Sequence, residues 1–206
     1  MQLTPGRVFA SVVVLTLLAA TPAAGQTEFP SQVGGSISSA VVVGAPAPVV
    51  GLTVSRRLTS QLGVELDASY APDLDLGDFP NCPPGQICVI GGTFSLKART
   101  IAIAAGLRAE IPAGPSWARP YVVAGGGVAH LRQIRRDNFF AFQSSSASVA
   151  PTVLLGGGVD FRLARHLSVA VESRYQRLFE TILPDRPDSE SSLNLTRMGA
   201  IVSYRF

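Results

Sequence analysis

From residue 31 onward the chain keeps returning to a two-residue period, and most of the charge inside those stretches falls on one side of it. Leu62-Gly-Val-Glu-Leu-Asp-Ala-Ser-Tyr70 puts Leu62, Val64, Leu66, Ala68 and Tyr70 on one face, with Glu65 and Asp67 on the other. Leu167, Val169, Val171 and Tyr175 share a face in the same way, opposite Glu172 and Arg174. Side chains alternate across a strand, so this period dictates β-structure with two unlike faces. No helical period competes with it after the first 25 residues. The same reading predicts strands near 31–43, 48–57, 62–72, 94–111, 119–132, 148–163, 166–178 and 192–206.

Eight strands is an even number, and the connections between them sort by chain order. After the second, fourth and sixth strands the turns are compact: Arg57 to Ser60, Pro112 to Ala118, Ala164-Arg165. After the third, fifth and seventh come long polar loops: Pro72 to Gly92, Gln133 to Ala147, and Phe179 to Ser191. The first connection, Gly44 to Ala47, is the short exception on the long-loop side. Short turns on one rim and long loops on the other are the habit of transmembrane barrels, whose strands of about ten residues suffice to cross a bilayer.

Alternation leaves open which face looks outward, and a soluble ligand-binding barrel would alternate equally well. The strand charges decide the matter. Glu65, Asp67, Arg108, Glu110, Asp160, Arg162, Glu172, Arg174, Arg197 and Arg205 gather on one face, five acids and five bases. Charges enclosed in a narrow lumen must pair, because an unpaired buried charge costs several kcal/mol. Lys97 and Arg99 have the opposite parity to Arg108, so they belong beyond the lipid or across a bulge. Aromatic residues on the apolar face cluster near strand ends, with Tyr121, Phe161, Tyr204, Phe206 and the turn residue Trp117 at the short-turn rim and Tyr70 and Tyr175 at the other. Interfacial girdles have that distribution. The charged fraction, 15%, is well below the roughly 25% of soluble domains.

The first 25 residues carry Arg7, the apolar run Val8 to Ala20, and Thr21-Pro22-Ala23-Ala24-Gly25. A charged start, a short apolar core and small residues at the cleavage point make a secretory signal, too short in its apolar core to span as a helix. Residues 26–206 are then one mature domain. Gln32 to Ser55 has no charge, but Gly34, Gly35, Gly44, Pro46 and Pro48 would break a membrane helix repeatedly. The net charge of +3, or +2 without Arg7, gives no footing for nucleic acid. Cys82 and Cys88 sit in Asn-Cys-Pro-Pro-Gly-Gln-Ile-Cys, and in an exported protein two such cysteines are expected to pair as a disulfide rather than to half-build a metal site.

The chain ends in Met198-Gly199-Ala-Ile-Val202-Ser-Tyr204-Arg-Phe206, where Met198, Ala200, Val202, Tyr204 and Phe206 share a face. This segment resembles the terminal assembly signal of bacterial outer-membrane proteins. The whole mature chain resembles the OmpA-type and opacity-type small outer-membrane barrels: an all-β, eight-stranded antiparallel up-and-down transmembrane β-barrel following a cleaved signal peptide. The resemblance implies an outer-membrane location, and Gly199, Val202, Tyr204 and Phe206 read by the barrel-assembly machinery after escort by periplasmic chaperones. It also implies outer-membrane lipid and lipopolysaccharide as surroundings.

No catalytic motif stands out. Gly125-Gly126-Gly127 and Gly156-Gly157-Gly158 do not join a strand to a helix, so they are not phosphate loops. A hairpin centred near residue 141 would set Gly126 opposite Gly157, letting the wall bend. His166-Leu167-Ser168, with Glu172, is similar to the His-x-Ser of outer-membrane lipid A deacylases, yet Val169 stands where that family has asparagine, and the segment adjoins a short turn. His130 is a rim or luminal polar residue. Arg132, Arg135, Arg136 and Asp137 precede Phe139-Phe140-Ala-Phe142 in a basic and aromatic segment that has the chemistry to touch lipopolysaccharide. The expected protein is non-enzymatic and cofactor-free, with a charge-plugged lumen and a role in envelope structure or surface interaction. A small channel for polar solutes is the alternative reading, followed by a lipid-modifying enzyme and a soluble barrel.

Overall fold

The computed structural model describes residues 31–42, 45–80, 93–113, 115, 117–137, 143–179 and 193–206. The expected signal segment, Cys82, Cys88 and the Phe139–Phe142 run lie outside them. Eight strands follow one another as β1 (Ser31–Val42), β2 (Ala45–Arg57), β3 (Leu62–Pro80), β4 (Thr93–Glu110), β5 (Ala118–Asp137), β6 (Gln143–Arg162), β7 (Leu167–Leu178) and β8 (Leu193–Arg205). Each pairs antiparallel with the next, and β8 returns to β1 to close the barrel. The closure is sealed at the short-turn rim by reciprocal backbone bonds between Ser31 and Phe206, 3.1 and 3.0 Å long.

The strand count and topology agree with the alternation, but four strands are longer than it suggests. β2 begins at Ala45, within the expected first connection, β3 continues to Pro80, β5 to Asp137, and β6 begins at Gln143. Residues expected in the long loops, such as Leu74, Asp75, Gly77, Asp78 and Ser144 to Ser146, are ladder residues instead. The β5–β6 register differs from the one expected. Gly126 therefore faces Val153 and Gly157 faces Val122, not each other. A ladder that rises clear of the membrane needs no apolar face towards lipid, so alternation fades where hydrogen bonding goes on.

β4 shows where the membrane ends. From Ile101 to Ala109 the odd residues Ile101, Ile103, Ala105, Leu107 and Ala109 point outward, while Arg108 and Glu110 point inward. Above Ile101, with no bulge in the strand, the polarity inverts. Lys97 and Arg99 are exposed outside, and Phe94, Leu96 and Ala98 are buried inside. The nine residues from Ile101 to Ala109 span about 30 Å of strand, and a tilt of about 40° leaves about 23 Å of height, close to the apolar band of such barrels. The same inversion occurs in β3, where Glu65 and Asp67 are buried low in the barrel but Leu74 and Leu76 high up, with Asp73 and Asp75 exposed. Lys97 and Arg99 thus lie beyond the apolar band; the bulges fall in β3, after Ala71 and after Asp75.

β2 pairs with β3 only as far up as Val50 and Tyr70, and β7 meets β6 only from Leu178 and Thr152 downward. Above those points β3, β4, β5 and β6 continue as a four-stranded sheet standing over the rim, its edges being β3 from Ala71 and β6 down to Pro151. Pro46 and Pro48 lie in β2 where that strand pairs with β1 alone, so a missing N–H is tolerated there.

Candidate functional site

The lower part of the lumen holds one connected set of eight ionised side chains, contributed by β3, β4, β6, β7 and β8. Arg174, 1% exposed, is its centre. Its Nη2 lies 2.7 Å from Glu172 and 2.8 Å from Glu65, and its Nη1 lies 3.1 Å from Asp67. The Glu172 contact is an aligned hydrogen bond; the other two act as ion pairs by proximity. Asp67 also takes Arg197 at 2.8 Å. Glu65 takes Arg108 at 3.4 Å, Arg108 reaches Asp160 at 3.5 Å, and Arg205 closes on Asp160 at 2.5 Å. Four acids meet four bases, so the buried set is neutral, which is the condition for charges withdrawn from water.

Tyr121 completes the set. It is 2% exposed, its hydroxyl donates to Glu172 at 2.8 Å, and the Arg108 guanidinium lies 3.6 Å from its ring centroid. This corrects its expected place in the aromatic girdle. Near a strand end, parity alone does not separate a luminal tyrosine from an interfacial one; the partners that hold it, Arg108 and Glu172, come from other strands. Arg205 pairs with Asp160.

Two of the ten charges expected together stand apart from this set. Glu110 lies at the short-turn mouth, held at 2.5 Å by Arg57 and at 3.4 Å by Arg119, neither of which the charge pattern singled out. Arg162, although of inward parity, is exposed at that mouth. Room for the large side chains comes from the opposite strand: Gly156 pairs with Arg174, and Gly158 with Glu172. A Cβ on Gly156 would lie 2.8 Å from Arg174 Cγ. The Gly156–Gly158 run therefore acts through its luminal positions 156 and 158.

Above the charges the lumen is apolar, which the sequence reading did not anticipate. Ala40, Ala47, Val49, Leu74, Leu96 and Leu131 are among the members of a buried cluster that fills it, joined from the far wall by Leu178, Leu193 and Leu195. Outside, Ile37 (75% exposed), Leu107, Val149, Leu155, Met198 and Val202 present an apolar band. Tyr70 and Tyr175 border it at one end; Trp117, Tyr204 and Phe206 border it at the other, with Trp117 stacked on Phe161 at 6.0 Å. Of the expected assembly signal, Val202, Tyr204 and Phe206 face outward, whereas Gly199 faces the lumen between Ser38 and Glu172. His130 is exposed and has outward parity.

The His166, Ser168 and Glu172 set is not assembled. His166 stacks on Tyr204, with its Nδ1 3.0 Å from the Arg205 carbonyl. Ser168 is buried in the lumen, and Glu172 is occupied by Tyr121 and Arg174. Among the described residues no group of His, Cys, Asp and Glu has the arrangement of a metal site.

An eight-stranded closed barrel with an apolar, aromatic-bordered exterior and a paired, charged interior is a transmembrane β-barrel. The chain belongs to the outer membrane protein beta-barrel domain family, which matches residues 10–206, and its place is the bacterial outer membrane. Among solved structures it is similar to a major outer membrane protein from Thermus thermophilus, at 13% identity and TM-score 0.58, covering 85% of this chain and 99% of that one. It is also similar to Neisserial surface protein A, at 14% identity and TM-score 0.51, covering 86% and 97%. Ail of Yersinia pestis follows at 13% identity and TM-score 0.49, covering 86% and 97%. No curated protein sequence matches.

Proposed function

We propose that this is a non-enzymatic, non-conducting barrel that serves the envelope as a membrane-anchored platform for surface interaction. The carrying observation is the asymmetry of the sheet above the rim. Its β3 edge is blocked in the usual ways, by Pro72, by two bulges, by Gly77 at φ 97° and by Asp73, Asp75 and Asp78. Its β6 edge, from Gln143 to Ala150, has no proline, no charge and no bulge, and pairs on one side only among the described residues. An open edge of that kind accepts an extended segment of another chain by backbone hydrogen bonding. Two further features support a closed lumen, the neutral charge set below and the apolar cluster above. The separation of His166 from Ser168 supports the absence of deacylase-type chemistry.

Two measurements test the reading. In planar bilayers the protein should give no steady conductance; an open pore of porin size would establish the small-channel alternative instead. Cells displaying the protein should be retained on a surface coated with reduced, carboxymethylated lactalbumin, an unfolded chain. Ser144→Lys with Ser146→Lys should bring retention down to that of non-displaying cells. Equal retention of all three strains would remove the surface-interaction role.

A further inference from the structure

Arg99 and Arg132 are direct cross-strand partners on the outer face of the barrel, both exposed. Like charges directly opposite one another, about 5 Å apart, destabilise a ladder. No described acidic side chain pairs with either of them. The nearest acids in the ladder, Asp73 and Asp75, belong to β3 on the far side of β4 and meet Lys97: Asp73 at 3.6 Å, Asp75 as its ladder partner. On the β6 side the outward residues are Ser145, Ala147 and Val149, all uncharged. One outward position below the arginine pair, Tyr70, Ile101, His130 and Val149 form a cross-strand row at the upper limit of the apolar band. Exposed Arg136 extends the same face of β5 upward, opposite Ser95. The bases are therefore concentrated at the depth of lipid headgroups and lack an anion.

We infer that Arg99 and Arg132, with Arg136 above and His130 below, bind the phosphate of an outer-leaflet lipid headgroup. Two guanidinium forks a ladder spacing apart can bracket one phosphate with charge-assisted, bidentate hydrogen bonds. The lipid's chains then lie along Ile101, Val128 and Val149 below. The site adjoins the β6 edge but acts through Arg99 and Arg132, whereas the edge is tested at the inward positions Ser144 and Ser146, so either assignment can fail alone.

The test uses the folded protein in phosphate-free, non-ionic detergent micelles, with bisphosphorylated lipid A as probe and co-eluting phosphorus as readout. Arg99→Ser with Arg132→Ser should weaken binding by about tenfold or more, because each arginine to phosphate bond is worth at least about one such factor. Dephosphorylated lipid A should bind the wild type as weakly as the double variant binds lipid A. Arg56→Ser, which removes an arginine at the opposite rim, should leave binding unchanged. A heat-modifiable gel shift confirms that each variant is folded. Unaltered binding by the double variant would overturn the inference. So would an equal loss in Arg56→Ser, which would make the effect one of net charge. Inorganic pyrophosphate binding as tightly as lipid A would reassign the site to a free anion.

Discussion

Gly156 stands directly across the β6–β7 ladder from Arg174, and its lack of a side chain is what allows the arginine to lie against the wall and reach Glu65, Asp67 and Glu172. The most buried charge of the lumen and the smallest residue of the neighbouring strand are thus one unit. Gly156→Ala should cost about 1–3 kcal/mol, the usual penalty of overpacking, since the new Cβ also meets the Ser173 carbonyl at 2.8 Å. Urea titration of reversible folding in detergent micelles checks this. An unchanged midpoint would show that Arg174 has another route across the lumen.

Removing Arg174 itself takes a base from three acids, of which Glu172 keeps only the Tyr121 hydroxyl while Glu65 and Asp67 keep Arg108 and Arg197. Arg174→Met should lose about 3–5 kcal/mol, as expected when one member of a buried set is deleted. Arg57→Met removes a base from the mouth, where Arg57 retains 20% side-chain exposure, and should lose at most about 1 kcal/mol. The contrast between them, measured in the same titration, separates buried pairing from ordinary surface attraction.

Tyr121 contributes through both its hydroxyl and its ring. Tyr121→Phe removes only the bond to Glu172 and should cost about 1 kcal/mol. Tyr121→Leu also removes the face beneath Arg108 and should cost a further ~1 kcal/mol or more. If the two variants have equal stability, the guanidinium-ring contact adds nothing.

Trp117, the sole tryptophan of the chain, reports on the short-turn rim. Its fluorescence in bilayers should be quenched more by lipids brominated near the headgroup than by lipids brominated near the chain ends, as suits an interfacial aromatic. Stronger quenching from the bilayer centre would contradict the assigned membrane level.

What could be read from the amino-acid order was whatever depends on parity within one strand. Glu65 with Asp67, and Glu172 with Arg174, alternate against apolar neighbours, and that periodicity already marks their common face. Tyr121 was misplaced because its environment is set by Glu172, 51 residues away, and no local pattern encodes that meeting. The apolar upper lumen escaped notice for a different reason. Leu74 and Leu96 point inward where the surroundings outside are water, so the rule linking apolar with outward reverses partway along a continuous strand. Lys97 and Arg99 carried the signal of that reversal, in their mismatch of parity with Arg108. The extra length of β5 and β6 had no signal at all, since serines on a wet ladder look like serines in a loop.

The polarity switch between Ile101 and Arg99 also fixes how deeply the barrel sits. Sinking by one outward position would carry Arg99 and Arg132 towards hydrocarbon, where an arginine at the midplane costs about 2–4 kcal/mol. Rising by the same step would strip lipid from Ile101 and Val149. The barrel therefore has a preferred vertical position with an energetic wall on either side, and a bilayer of different thickness must deform to meet it.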